Sequence, residues 1–299
     1  MTTLHRATAP PTEAERVKWR IGDVTVTRLV EQVLVWDGRM ILPDAEPARL
    51  SGMSWLFPHF VDEKGRMKLN IQAFVVEAGS VKILVDTCVG NLKEGRALPE
   101  WNNLQTRFLT DMEEEGFAAD DIDFVLCTHL HSDHVGWNTK LVDGVWRPTF
   151  PKARYLMDRT EFEYWRDQRE RAQGAIVFAD SVQPVFEAGL IDLVGSDHEV
   201  CEGVRLAPTP GHTPGHVSVF IESKGEAAII TGDFIHHPCQ LSHPEWGSPS
   251  DIAHEQAVRT RETAFRNLSG KKVLMIGTHF SGPTAGYVRE GEGAYYLSI

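Results

Sequence analysis

Apolar and polar positions alternate with period two in several short runs along the chain, the spacing of half-buried strands. Residues 24–35 (VTVTRLVEQVLV) form one such run. Residues 72–77 and 81–85 are two apolar runs, separated by Ala78-Gly79-Ser80, and predict a hairpin. Continuous apolar stretches at 122–127, 154–157, 204–207, 216–221, 227–231 and 272–276 read as further strands. Between them, helical spacing predicts helices over 103–115, stopped by Gly116, over 159–167 with Asp158 as N-cap, and over 251–268. Strands and helices occur in both halves without a Pro-, Gly- or Ser-rich linker, so a layered α/β structure is expected. Residues 1–15, with Pro10 and Pro11, are expected to form a flexible arm ahead of a single domain over 16–299.

Composition narrows the class. The chain has 299 residues, 42% of them hydrophobic, enough for a sizeable core. Thirty Lys and Arg against 42 Asp and Glu give a net charge of −12, which argues against a nucleic-acid partner. Cys88, Cys127, Cys201 and Cys239 lie far apart, fit no disulfide framework or zinc knuckle, and predict a reducing, cytoplasmic setting. No run has the ~20 apolar residues of a membrane span, and the first residues hold no signal-peptide core.

Chemistry concentrates in Thr128-His129-Leu130-His131-Ser132-Asp133-His134, four possible ligands directly after an apolar strand. In extended backbone His129 and His131 point the same way, and a turn at Ser132 would bring Asp133 and His134 round. Imidazole and carboxylate suit zinc and similar divalent ions, and so many donors exceed what one metal with an open position takes. Three further strand ends carry donors: His212 in TPGHTPGH, Asp233 in IITGD, and His279 in IGTH. A sheet holds such ends with the precision a metal site needs. His216, His237 and His243 read as supporting or loop residues, Asp86 as a carboxylate orienting a ligand histidine, and Cys127 and Cys239 as buried inert thiols. Trp55, Phe57, Phe60 and Trp137 are candidates for an apolar pocket wall.

The HxHxDH motif, the TPGHTPGH turn, the TGD strand end and the last histidine, in this order, resemble the metallo-β-lactamase superfamily, from about residue 24 to the C-terminus. The resemblance implies an αββα sandwich. It also implies that His129, His131 and His212 hold one metal, that Asp133, His134 and His279 hold the other, and that Asp233 bridges them. Within the superfamily, GTHFSGPTAG at 277–286 is similar to the end motif of the dinuclear methyl parathion hydrolase type. Acyl homoserine lactonases share the seven donors but carry a tyrosine three residues after the bridging aspartate, where this chain has His236. True β-lactamases lack the bridging aspartate, and the flavodiiron branch has an acid in place of His131.

The expected activity is metal-dependent hydrolysis of a small lactone, carboxyl ester or organophosphate triester, with hydroxide shared by two cations, zinc first and manganese, iron or cobalt as alternatives. Asp133 and His236 are the candidate catalytic residues, Asp133 chiefly as a ligand and His236 as a proton shuttle. A glyoxalase II-like thioester hydrolase is the alternative. A mononuclear iron dioxygenase is disfavoured by the intact donor set, a nuclease by the charge, and a binding protein on a dead enzyme fold by the lack of any lost donor. The parathion hydrolase relatives imply a homodimer.

Overall fold

The computed structural model describes residues 17–168 and 172–299, so the arm expected over 1–15 lies outside the described residues. Alternation becomes strand where it was expected. In chain order the strands are β1 Lys18–Ile21, β2 Val24–Trp36, β3 Met67–Ala78, β4 Val81–Val85, β5 Phe124–Leu126, β6 Thr139–Val142, β7 Val145–Pro148, β8 Arg154–Asp158 and β9 Ile191–Val194. They continue as β10 Glu199–Cys201, β11 Val204–Pro208, β12 Val217–Ser223, β13 Glu226–Ile230, β14 Val273–Ile276, β15 Ala285–Gly291 and β16 Ala294–Ser298. One seven-stranded sheet has the order β1-β2-β3-β4-β5-β8-β9, a second runs β10 to β16 in sequence, and β6 and β7 form a separate hairpin. Backbone contacts divide the chain into two compact units. The first takes residues 17–20, 25–32 and 71–195, and the second takes 21–24, 33–70 and 196–299.

In the first unit β3 and β4 form the expected hairpin, and β4, β5, β8 and β9 then pair in parallel. Parallel strands need both faces covered, which is why VKILV and FVL read as near-continuous apolar runs. The shared register of Val85, Leu126 and Leu156 brings the C-terminal ends of β4, β5 and β8 side by side. Asp86 follows β4 directly, Thr128-His129 come within three residues of the end of β5, and Asp158 is the last residue of β8. Asp158 accepts hydrogen bonds from the amides of Thr160 and Glu161 and so starts the helix Arg159–Asp167, as expected.

The second unit repeats this device. Strands β13 and β14 are its parallel pair, with Ile230 opposite Ile276. Asp233 and His279 each lie three residues beyond that pair, so one register sets both. The turn between β11 and β12 carries His212, and its Gly211 sits at φ +132° against the helix His254–Leu268, where a Cβ would lie 2.3 Å from the Ala257 amide nitrogen. Only glycine fits there. That helix buries Ala257, Arg261, Phe265 and Leu268, the one-sided spacing of a helix packed on a sheet. Phe60, Phe234, Trp246, Phe265, Met275 and Phe280 anchor the unit's apolar core.

Two helices are shorter than their periodicity predicts. The run 103–115 is helical only over Phe108–Glu114, because Asn103 adopts φ +55° and its amide bonds the Lys93 carbonyl, while the Thr106 amide bonds Asn91 Oδ1. The run 251–268 starts at His254 instead of Asp251, whose side chain is committed elsewhere. No helix among the described residues is long and apolar enough to cross a membrane.

Candidate metal centre

A neutral imidazole offers one lone pair, and the proton on its other nitrogen decides which. In the first unit, Asp86 makes that decision for two histidines. His134 Nδ1 donates to Asp86 Oδ2 at 3.0 Å. The Thr128 hydroxyl donates to the same carboxylate and can therefore accept from His129 Nδ1, 3.1 Å away. Both rings are thus expected to present Nε2. His129 Nε2 lies 3.0 Å from His131 Nδ1, the His129 and His134 ring centroids are 4.0 Å apart, and His134 Nε2 lies 3.7 Å from Asp133 Oδ2. His129 and His134 are fully buried, whereas His131 and Asp133 are partly open. Glu161 supports the same loop, accepting the Leu130 amide and the Trp165 indole, and the Trp165 ring packs edge-on to His131.

In the second unit the donors gather round Asp233. His279 Nε2 lies 3.1 Å from Asp233 Oδ1, His236 Nε2 3.4 Å from Oδ2 and His212 Nε2 3.7 Å from Oδ2. Two of these three rings are again held from behind. His212 Nδ1 donates to Asp251 Oδ1 at 2.9 Å, and His279 Nδ1 donates to the Asn70 carbonyl at 2.9 Å. Asp251 is itself fixed by the Ser248 amide and by the buried Arg261 guanidinium, whose Nε donates to the Pro244 carbonyl. Burial lowers the Arg261 pKa, and Asp251 opposes that shift. Desolvation likewise pushes the His236 imidazole down to about 3, against the pull of Asp233, so the ring is neutral over the ordinary pH range.

Hydrogen bonding also separates supporting histidines from donors. His216 Nε2 accepts the Asp233 amide at 2.7 Å, and its Nδ1 bonds Thr209 Oγ1 at 2.9 Å. His216 thus holds the Asp233 backbone and has no lone pair to give. His237, expected as a loop residue at the site mouth, is fully buried: Nε2 donates to the Phe60 carbonyl and Nδ1 accepts the Cys239 amide. Burial pushes it down to about 4. His243 stacks on Trp246 at 4.1 Å. Of the proposed pocket wall, Phe60 belongs to the second unit's core, with Trp55 and Phe57 packed against that core. Trp137 instead stacks on Phe108 and donates to Glu31. Cys127 and Cys239 are buried, and desolvation raises both thiols.

Sequence reasoning missed Asp251, Arg261, Glu161 and the Asn70 carbonyl. Each acts on a partner remote along the chain, with no local motif to mark it. Within each unit the candidate donor set is nitrogen and carboxylate oxygen, mostly buried, with the rear nitrogens of His129, His134, His212 and His279 occupied, which fits a borderline divalent cation.

The profile of the metallo-beta-lactamase superfamily matches residues 67–279. The N-acyl homoserine lactonase AiiA of Bacillus thuringiensis subsp. kurstaki is 28% identical over 176 residues, 55% of this chain and 63% of that protein. This chain therefore spans under two thirds of that relative. An N-acyl homoserine lactonase of Bacillus cereus is 25% identical over 226 residues, 71% of this chain and 82% of its own. Among solved structures, the hydrolase AbOPH in the beta lactamase superfamily superposes with a TM-score of 0.76 at 24% identity, covering 95% of this chain and 97% of its own. The dizinc quorum-quenching lactonase AidC, in complex with N-hexanoyl-L-homoserine, gives 0.75 at 20% identity, covering 95% and 96%. At these identities the superpositions speak for the fold, and they agree with the mixed α/β architecture. The profile match, which spans most of the chain, makes this protein a member of the metallo-beta-lactamase superfamily.

Proposed function

We propose that this protein is a metal-dependent hydrolase, in which His129, His131, Asp133, His134, His212, Asp233 and His279 hold two divalent ions, zinc foremost. The observation that carries the reading is the way His129, His134, His212 and His279 are held by hydrogen bonds at Nδ1, leaving Nε2 as the ligating atom. When bound, such ions supply Lewis-acid polarisation and lower the pKa of water toward about 7. The chain's own residues do the rest. Asp86 and Asp251 fix which nitrogen each histidine presents and strengthen it as a donor. His216 holds the Asp233 backbone, so the carboxylate reaches its neighbours without rotating away. His129 and His134 in the first unit, and His212 and Asp233 in the second, are buried, which limits competition from water at their donor atoms.

Among substrates, lactones come first, because the sequence relatives are lactonases; aryl esters and phosphotriesters follow. A rate panel on zinc-loaded protein tests this, using a γ-lactone, an aryl ester, paraoxon, a glutathione thioester and a cephalosporin. Turnover of the lactone, alone or with the ester and triester, is expected. Hydrolysis confined to the thioester would transfer the reading to a glyoxalase II-like enzyme.

A further inference from the structure

His236 occupies the position at which the lactonases are expected to carry tyrosine, and its surroundings differ from those of every other buried histidine described above. His216 and His237 have both ring nitrogens in hydrogen bonds. His212 and His279 are held from behind through Nδ1. The His236 ring is 5% exposed, and its Nδ1 has no hydrogen-bond partner among the described residues. Its Nε2 has Asp233 Oδ2 3.4 Å away, which is long for a charge-assisted hydrogen bond. Nε2 is therefore the atom open to a further partner on the Asp233 side.

The segment bearing the ring is rigid. The His236 amide donates to Gln240 Oε1 at 2.7 Å, Gln240 Nε2 donates to the Trp246 carbonyl, and the neighbouring His237 is pinned to Phe60. The ring therefore stays directed at Asp233. It also lies 4.8 Å from the His212 ring, and ligand atoms of His212, Asp233 and His236 all fall within 4.8 Å of one another. Two donors on one zinc, each at about 2.0–2.1 Å, stand roughly 3.0–3.4 Å apart in four- to five-coordinate geometry. The 3.4 Å separation of His236 from Asp233 has that size, and the 3.7 Å from His212 to Asp233 is close to it.

We infer that His236 is a metal ligand, an eighth protein donor that completes a three-donor site with His212 and Asp233 inside the second unit. This rests on the two-metal reading above and adds to it: the ion that takes His212 also takes His236. A donor that is a neutral imidazole leaves the charge of the site unchanged while filling a coordination position. That ion is therefore held more tightly than its neighbour and keeps fewer positions for substrate.

The test uses full-length protein stripped of metal and titrated with Co(II), comparing wild type, His236→Phe and His236→Cys. Elemental analysis, chelator competition and the cobalt electronic spectrum are read, with circular dichroism confirming the fold of each variant. Wild type is expected to take up two ions. His236→Phe is expected to bind one of them at least tenfold more weakly, with altered d–d bands. His236→Cys places a thiolate in the same position and is expected to add a sulfur-to-cobalt charge-transfer band in the near ultraviolet. Two ions bound by His236→Phe with wild-type affinity and spectrum, together with no new band in His236→Cys, would overturn the inference and leave the two-metal reading standing. Failure of wild type to bind any ion would instead remove that reading, and this inference with it.

Discussion

Lys93 shows what a single buried charge does in this protein. Its ammonium is fully buried, bonded to Thr139 Oγ1 and the Asp180 carbonyl, and set 3.6 Å over the Trp146 ring. Asp180 is already neutralised by a two-pronged bond from Arg96, so Lys93 is the surplus cation. Burial pushes its pKa down to about 7 from an ordinary 10.5, with Asp180 resisting and Arg96 assisting. The unfolded chain keeps this proton up to about 10.5, whereas the folded chain releases it above about 7. Between those values the unfolded state binds more protons, and stability from this group rises with pH; below pH 7 the contribution is flat. Lys93→Met removes the term. The stability difference between variant and wild type, from urea unfolding at pH 7.0 and pH 8.5, is expected to move toward wild type by up to ~2 kcal/mol, since one pKa unit is worth ~1.4 kcal/mol. A difference that stays constant over this range would mean that Lys93 keeps its proton.

At the scale of elements, the first unit's donor loop is zipped to the segment after β4. The Thr87 amide donates to the His134 carbonyl, the Gly136 amide to the Cys88 carbonyl and the Trp137 amide to the Thr87 carbonyl, each at 2.8 Å. Glu31 closes this from beneath, accepting the Val89 amide and the Trp137 indole. Gly136 makes the approach possible: a Cβ there would lie 1.8 Å from the Val89 carbonyl oxygen. Gly136→Ala must push the two segments apart, an overpacking cost typically of ~1–3 kcal/mol. Its expected signature is lower stability together with weaker metal uptake, measured by urea unfolding and chelator competition; unchanged values for both would show that the contact does not hold the donor loop. The glycine was visible in the sequence, but its reason was not, since the Val89 carbonyl lies 47 residues earlier. The same division runs through the fold. Strand β2 was legible from period-two alternation, and β4, β8 and β14 from short apolar runs, all of them local signals. The β6–β7 hairpin escaped because Leu141, Val142 and Val145 are apolar yet exposed. The helix over 103–115 was overextended because Asn91 and Lys93 claim its first residues. The seven residues proposed as donors each sit in a local motif or at a strand end, whereas Asp251, 39 residues beyond the His212 that it orients, had no local pattern to announce it.

At the scale of the molecule, the proposed donors follow strand ends, and in the second unit the core lies apart from them, so folding is expected to be separable from metal binding yet linked to it. The second unit's core of Phe60, Trp246, Phe265, Met275 and Phe280 contains no proposed ligand. An apo chain is therefore expected to fold, with its donor carboxylates and imidazoles no longer bridged by cations. Ions that bind only the folded state stabilise it by RT ln(1 + [L]/Kd), ~4 kcal/mol for one site at a thousandfold excess over Kd. For a chain of this length that is a fall in Tm on the order of 10 °C when metal is removed, using the ~2–4 °C per kcal/mol of somewhat smaller domains. Dialysis against a chelator, followed by thermal unfolding, is expected to give that fall with the far-ultraviolet circular dichroism retained at 25 °C. Zinc or cobalt should restore the Tm, and magnesium should not, because histidine nitrogen is a poor ligand for a hard cation that prefers oxygen and retains its water. Restoration by magnesium alone would mean that carboxylates hold the ion and the histidines do not. A Tm indifferent to both chelator and zinc would mean that the clustered donors are a polar network sustained by their own hydrogen bonds.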